Sequence, residues 1–161
     1  MEGKMPVFIS HKQEDSAQAA ELHRYFTSNG VPAYVDLLEL GQPGLKSDED
    51  ITNRILDRLN KCTHLMALVS EVTKQSWWVP FEIGVATNQG NRISSLNYKL
   101  VDLPEYLKIW PVLRTKEHLD RYIQLYRTDK TAQKAFTDSV QAARTAADFH
   151  RQMKSITGQL R

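Results

Sequence analysis

Five successive apolar residues at positions 65–69 (LMALV) leave little freedom in what this chain can become. A strand with one wet face alternates apolar and polar side chains. A strand covered on both faces does not, which is the habit of a central strand in a parallel sheet. The flanking segments fit the same scheme. Residues 6–10 (PVFIS) read as a buried strand that stops at the polar cluster 11–15 (HKQED), and residues 32–36 (PAYVD) read as a second strand. Between them Asp15 can cap a helix of about four turns, with Gln18 at the capping-box position, Leu22 and Phe26 as an i, i+4 apolar pair and Asn29-Gly30 as the stop. A second helix starts at Ser47 or Asp48, lines up Ile51, Ile55 and Leu59, and ends near Lys61. Residues 37–47 between strand and helix carry Gly41, Pro43 and Gly44 and predict a long loop, the kind usually kept for function.

Beyond the central strand, residues 92–97 (RISSLN) read as a strand of poor apolar content, and residues 109–113 (IWPVL) as another. Pro111 cannot donate to a ladder and places this last strand at an edge. Thr115 caps a helix with Leu119, Tyr122, Ile123 and Tyr126 on one face. From 129 to 157 no breaker intervenes, so one long helix or two short ones are expected, with a thin stripe of Phe136, Val140, Ala143 and Ala147. Strands alternating with helices call for an α/β fold, a five-stranded parallel sheet with helices on both faces. With 161 residues and 41% hydrophobic content the chain suits one compact unit, divided here into residues 1–127 and a C-terminal helical extension, 128–161, packed on or beside it.

Ligands of such sheets bind outside the carboxyl ends of the strands. The segment arriving there after the central strand is 76–86 (SWWVPFEIGVA), which puts one carboxylate, Glu82, in very apolar company. Proline is tolerated only in the first helical turn, so Pro80 starts a helix between about Trp77 and Pro80 and leaves Glu82 in that first turn, one turn after Trp78. A helix-capping role for Glu82 remains the plain alternative. Trp77 is expected in the core. Ser70 and Ser76 read as loop and cap residues rather than nucleophiles.

Charge names no partner: 21 Lys+Arg against 19 Asp+Glu give a net charge of +2, without the basic stripe of a nucleic-acid binder. Cys62 is the only cysteine, so an intrachain disulfide is impossible and core packing is expected. The five histidines show no metal-ligand spacing, and no segment offers the roughly 18 apolar residues of a membrane span, so no metal, nucleic acid or membrane is expected and the chain reads as cytoplasmic.

The residues Val-Phe-Ile-Ser-His at 7–11, Gly-Val-Pro-Ala-Tyr-Val-Asp at 30–36, Leu-Val-Ser at 68–70 and Trp-Val-Pro-Phe-Glu at 78–82 together resemble a Toll/interleukin-1 receptor (TIR) domain of the bacterial stand-alone type. The resemblance covers roughly residues 6–126 and implies a flavodoxin-like fold. It is similar to the NAD-cleaving subunits of Thoeris-like anti-phage systems, whose nucleotide product reaches a separate effector protein. The resemblance implies Glu82 as catalytic residue and Trp78 as a pocket wall; the loops that converge at the carboxyl edge of the sheet add Ser10, His11, Lys12, Asp36, Leu45 and Ser70 as expected substrate contacts. It also implies the 36–47 loop as a lid, a homo-oligomer when active, and NAD+ as substrate with no cofactor. The fourth strand is more polar than the family's, and the tail is longer than the minimal domain. Two rival readings stand beside it: a non-enzymatic TIR interaction module, and a nucleoside-processing enzyme that also uses a Glu on a ribosyl bond.

Overall fold

The computed structural model describes residues 5–35, 48–129 and 139–159. Asp36 and Leu45, and with them the expected lid, lie outside the described residues. The elements are β1 (Val7–Ser10), α1 (Ser16–Ser28), β2 (Ala33–Val35), α2 (Asp48–Asn60), β3 (His64–Leu68), α3 (Trp78–Asn88), β4 (Arg92–Leu96), β5 (Val112–Leu113), α4 (Lys116–Thr128) and α5 (Ser139–Ile156). The five strands form one sheet in the order β2-β1-β3-β4-β5, every neighbouring pair parallel. This is the doubly wound, flavodoxin-like arrangement. It reverses direction beside β1 and β3, the place where such sheets open a crevice.

Alternation along the strands separates two cores. Val7 and Ile9 of β1, with Met66 and Leu68 of β3, pack against Leu22 and Phe26 of α1, Tyr122 and Ile123 of α4, and Phe149 and Met153 of α5. Phe8, Leu65 and Ala67 point the other way, onto Ile55 and Leu59 of α2 and Val79, Ile83 and Ala86 of α3. Every residue of β3 is buried, as the unalternating run requires. Cys62 is buried in this second core, where burial pushes its thiol up to about 12.

Local signals mostly act as expected. The Thr115 hydroxyl accepts from the His118 amide at 3.1 Å and starts α4, while Gly30 takes a left-handed φ of 77° past the end of α1. β5 is an edge strand, shorter than its apolar run because Pro111 offers only a carbonyl, which accepts from Ser95 at 2.9 Å. β4 is an inner strand despite its serines, since its backbone is paired on both sides and Ser94 and Ser95 are small enough to be buried. Three expectations are corrected. Asp15 makes no capping bond and is buried instead. Ala147 faces solvent, and the buried positions of α5 include Ala146, Phe149 and Met153, while Phe136 lies outside the described residues. Trp77 is 89% exposed rather than in the core.

The amino ends of the strands carry a polar cluster that spacing did not reveal. Arg92, itself buried, donates through Nε to Asp129 at 2.9 Å, and His64 Nε2 lies 3.3 Å from the same carboxylate. Burial opposes the charge on Asp129, but His64 and Arg92 outweigh it and hold its carboxyl below the usual range. His150 of α5 accepts from the Ile93 amide at 2.8 Å, and burial drops its imidazole to about 4.

Candidate active site

Ser10 closes β1 with its side chain on the Phe8 face, the face covered by α3. There its hydroxyl donates to Glu82 Oε1 at 2.6 Å across 72 residues of sequence. Both residues are fully buried. A carboxylate withdrawn from water beside Val79, Ile83 and Ala86 is costly and has no packing advantage over an apolar side chain. It is the kind of local inconsistency expected at a working site.

The start of α3 explains how Glu82 gets there. Ser76 is extended (φ −78°, ψ 136°) and its hydroxyl accepts from the Val79 amide at 3.1 Å, so it caps the helix just ahead of Pro80, whose missing N–H is one of the orphaned donors anyway. Glu82 is therefore the fifth residue of α3 and opens its second turn, not its first. The end of the helix dipole is then less a reason for this residue than its tie to Ser10. Trp78 stands one turn earlier, half-buried, with its ring edge-to-face on Phe81 (centroids 5.8 Å apart, planes at 85°).

The remaining expected contacts separate. His11 is fully buried, its Nε2 3.4 Å from the Ser16 hydroxyl at the start of α1. Lys12 points outward into a pair with Glu14 at 3.1 Å. Ser70, at the end of the central strand, donates to Asp15 Oδ2 at 2.6 Å rather than to Glu82. Tyr98, after β4, reaches the other oxygen of Asp15 at 3.4 Å. Asp15, Ser70 and Tyr98 thus form a second polar group at the same sheet edge, tying together the loops after β1, β3 and β4. The acidic residue in the cluster after β1 was the available signal for it, and a cap was the wrong use to assign. Two cavities of about 320 and 300 Å³ flank α1, one against β2 and Arg58, the other against Leu68, Leu96 and Tyr98. Neither has Ser10, Trp78 or Glu82 on its wall.

A parallel sheet ordered 2-1-3-4-5, with a Trp-x-x-x-Glu helix following its central strand, defines the architecture of a TIR protein. The sequence profile of the TIR domain matches residues 7–152, and the chain belongs to that family. It is also similar to a probable 3' cyclic ADP-D-ribose synthase, ThsB', of Bacillus cereus (strain MSX-D12), with 29% identity over 79 residues. That alignment takes in 48% of this chain and 41% of the relative, so this chain matches less than half of the relative's length. Among the described residues no helix is long and apolar enough to cross a membrane.

Proposed function

We propose that this TIR protein is an NAD+ nucleosidase or cyclase, which breaks the bond between nicotinamide and ribose. The observation that carries the reading is the buried Ser10–Glu82 pair at the carboxyl edge of the sheet, one helical turn from Trp78. The similarity to a protein named as a cyclic ADP-ribose synthase supports it.

Nicotinamide in NAD+ is a cationic pyridinium. When the C–N bond breaks, the electron pair leaves with the base, which departs neutral, and the ribose is left with oxocarbenium character. No general acid is needed. One carboxylate in a dry pocket can orient the ribose hydroxyls and stabilise the positive charge as it develops. A ribose hydroxyl would take the place of the Ser10 hydroxyl on Glu82 Oε1, so binding exchanges one donor for another at that oxygen. Water then attacks the ribosyl carbon and releases a proton, giving ADP-ribose; a nucleophile of the same molecule gives a cyclic product instead. Trp78 forms the apolar wall that holds the nicotinamide ring. Lys12 and residues 36–47 with Asp36 and Leu45 complete the contacts, while His11 and Ser70 act by holding the loops. The product serves as a nucleotide signal in bacterial antiviral defence, read by a separate effector in the cytoplasm.

Incubation of concentrated protein with NAD+, followed by chromatography, tests this directly. Free nicotinamide with an ADP-ribose-type product is expected from the unaltered chain and not from Glu82→Gln. Intact NAD+ at high protein concentration, with or without a crowding agent, would leave the interaction-module reading in its place. Nucleoside cleavage without NAD+ cleavage would point to the nucleoside-processing enzyme.

A further inference from the structure

The helices nearest the β2 edge lie on opposite faces of the sheet: Leu22 and Phe26 of α1 pack on the Val7 face, Ile55 and Leu59 of α2 on the Phe8 face. β2 is the outermost strand, hydrogen-bonded only to β1, and all three of its residues are half-buried. Side chains of both helices can therefore reach one edge. The cavity of about 320 Å³ lies there, and Arg24 of α1 and Arg58 of α2 both stand on its wall.

Two guanidiniums facing one cleft repel each other, and a carboxylate between them is the usual remedy. This wall has none; its other polar side chains are Ser16, His23 and Tyr34. Among the described residues neither arginine has an ion-pair partner, whereas Lys61 at the end of α2 is paired with Asp57 at 3.2 Å. Arg58 instead lies over the Tyr34 ring, 5.7 Å from its centroid. Such a contact uses the face of the guanidinium and leaves its in-plane N–H donors for another group. The Ala33 carbonyl, which would repel an anion, is engaged by His23 Nε2 at 3.1 Å. The cavity on the other side of α1 has the opposite character, with Glu21 and no Lys or Arg on its wall. Charge near an edge strand also deters strand addition, but that purpose needs neither a cleft nor an arginine held on a ring.

We propose that this cleft binds the phosphate group of a small phosphorylated molecule, held between Arg24 and Arg58. A phosphate offers several acceptor oxygens and nearly two negative charges, which the planar donor fork of arginine matches. Size narrows the class. Small-molecule sites run from roughly 300 to 1,000 Å³, so a cleft at the bottom of that range suits a sugar phosphate or a mononucleotide and is too small for a dinucleotide such as NAD+. Val35 and the Tyr34 ring supply apolar wall for the rest of the ligand. Ser10, Trp78 and Glu82 are not on this wall, so the site is a second one and does not rest on the NAD-cleaving reading.

Isothermal titration calorimetry of the whole chain with ribose 5-phosphate, adenosine 5'-monophosphate and adenosine tests this. Saturable binding of the phosphorylated compounds and none of adenosine is expected; a tighter mononucleotide assigns the cleft to nucleotides, and equal affinities assign it to sugar phosphates. Arg24→Gln and Arg58→Gln should each weaken binding at least about tenfold. Arg58→Lys keeps the charge but loses the fork, and its loss should be smaller. Arg24 is exposed, so its variant retains the fold and carries the test even if Arg58→Gln is unstable. Glu82→Gln should leave these affinities unchanged, which separates the cleft from the candidate active site. Absence of saturable binding up to millimolar ligand, adenosine binding as tightly as its monophosphate, or unweakened binding in Arg24→Gln overturns the proposal, whatever the outcome with NAD+.

Discussion

Removing the Ser10 hydroxyl is the sharpest test of the site. Its bond to Glu82 is 2.6 Å long and wholly buried, so no water replaces it in Ser10→Ala. Hydrogen bonds to charged groups contribute about 1.5–3 kcal/mol, and a buried carboxylate that loses a donor retains its desolvation penalty. A loss of about 2 kcal/mol is expected, which for a domain of this size lowers the melting temperature by roughly 4–8 °C. Glu82→Gln behaves differently. The amide oxygen still accepts from Ser10 and the buried charge is gone, so stability should hold or rise while NAD+ cleavage falls by about two or more orders of magnitude. The two substitutions should not add. In the Glu82→Gln background Ser10→Ala removes only a neutral bond, and a double-mutant cycle by urea unfolding should give a coupling of about 1 kcal/mol. Additivity within about 0.3 kcal/mol would refute the claim that this bond holds the carboxylate, and undiminished turnover in Glu82→Gln would remove the residue from the mechanism.

Other expectations are simpler to state. Trp78→Ala should lower turnover with a stability loss well under the roughly 3–5 kcal/mol of a truncated core tryptophan, since the ring is only half-buried; global unfolding would make it a core residue. Phe149→Ala should cost about 3–5 kcal/mol by denaturant unfolding, because α5 places that ring in the same core as Tyr122 and Met153; a loss under 1 kcal/mol would make α5 a dispensable appendage. Stability should also fall on acidification. His150 binds its proton in the unfolded chain near pH 6.5 but in the folded chain only near about 4, so its contribution is complete above pH 6.5 and is lost as pH falls through that window. The full difference corresponds to about 3 kcal/mol, and His150→Gln, which keeps an acceptor for the Ile93 amide, should flatten the profile between those limits.

What could be read in advance follows from how much of each signal is local. The helix stop at Gly30, the Thr115 cap and the edge position forced by Pro111 depend on a residue's own backbone chemistry, and all three hold. β3 starts one residue earlier than its apolar run because His64, polar in the sequence, is packed tilted on Tyr126 and edge-to-face on Phe149, with ring centroids 4.9 and 5.2 Å away. Asp15 was misread for a related reason. Capping is the local use of an aspartate after a loop, whereas its partners, Ser70 and Tyr98, are 55 and 83 residues away.

The same logic accounts for α3. An amphipathic pattern tells a helix which side to bury, and α3 has none, so its sequence could not say that Trp77 faces out and Glu82 faces in. Tertiary structure decides: the cap at Ser76 fixes where the helix begins, and Ser10 fixes its rotation by offering the buried carboxylate a donor. Turning α3 by about 100°, the angle between neighbouring residues, would put Ile83 against Ser10 and the carboxylate in the exposed place of Phe81, which is the cheaper arrangement for each group alone. The chain adopts the costlier one. A fold selected only for stability would have no reason to hold a carboxylate inside that helix; the proposed NAD-cleaving function, in which Glu82 faces a developing ribosyl cation, supplies one.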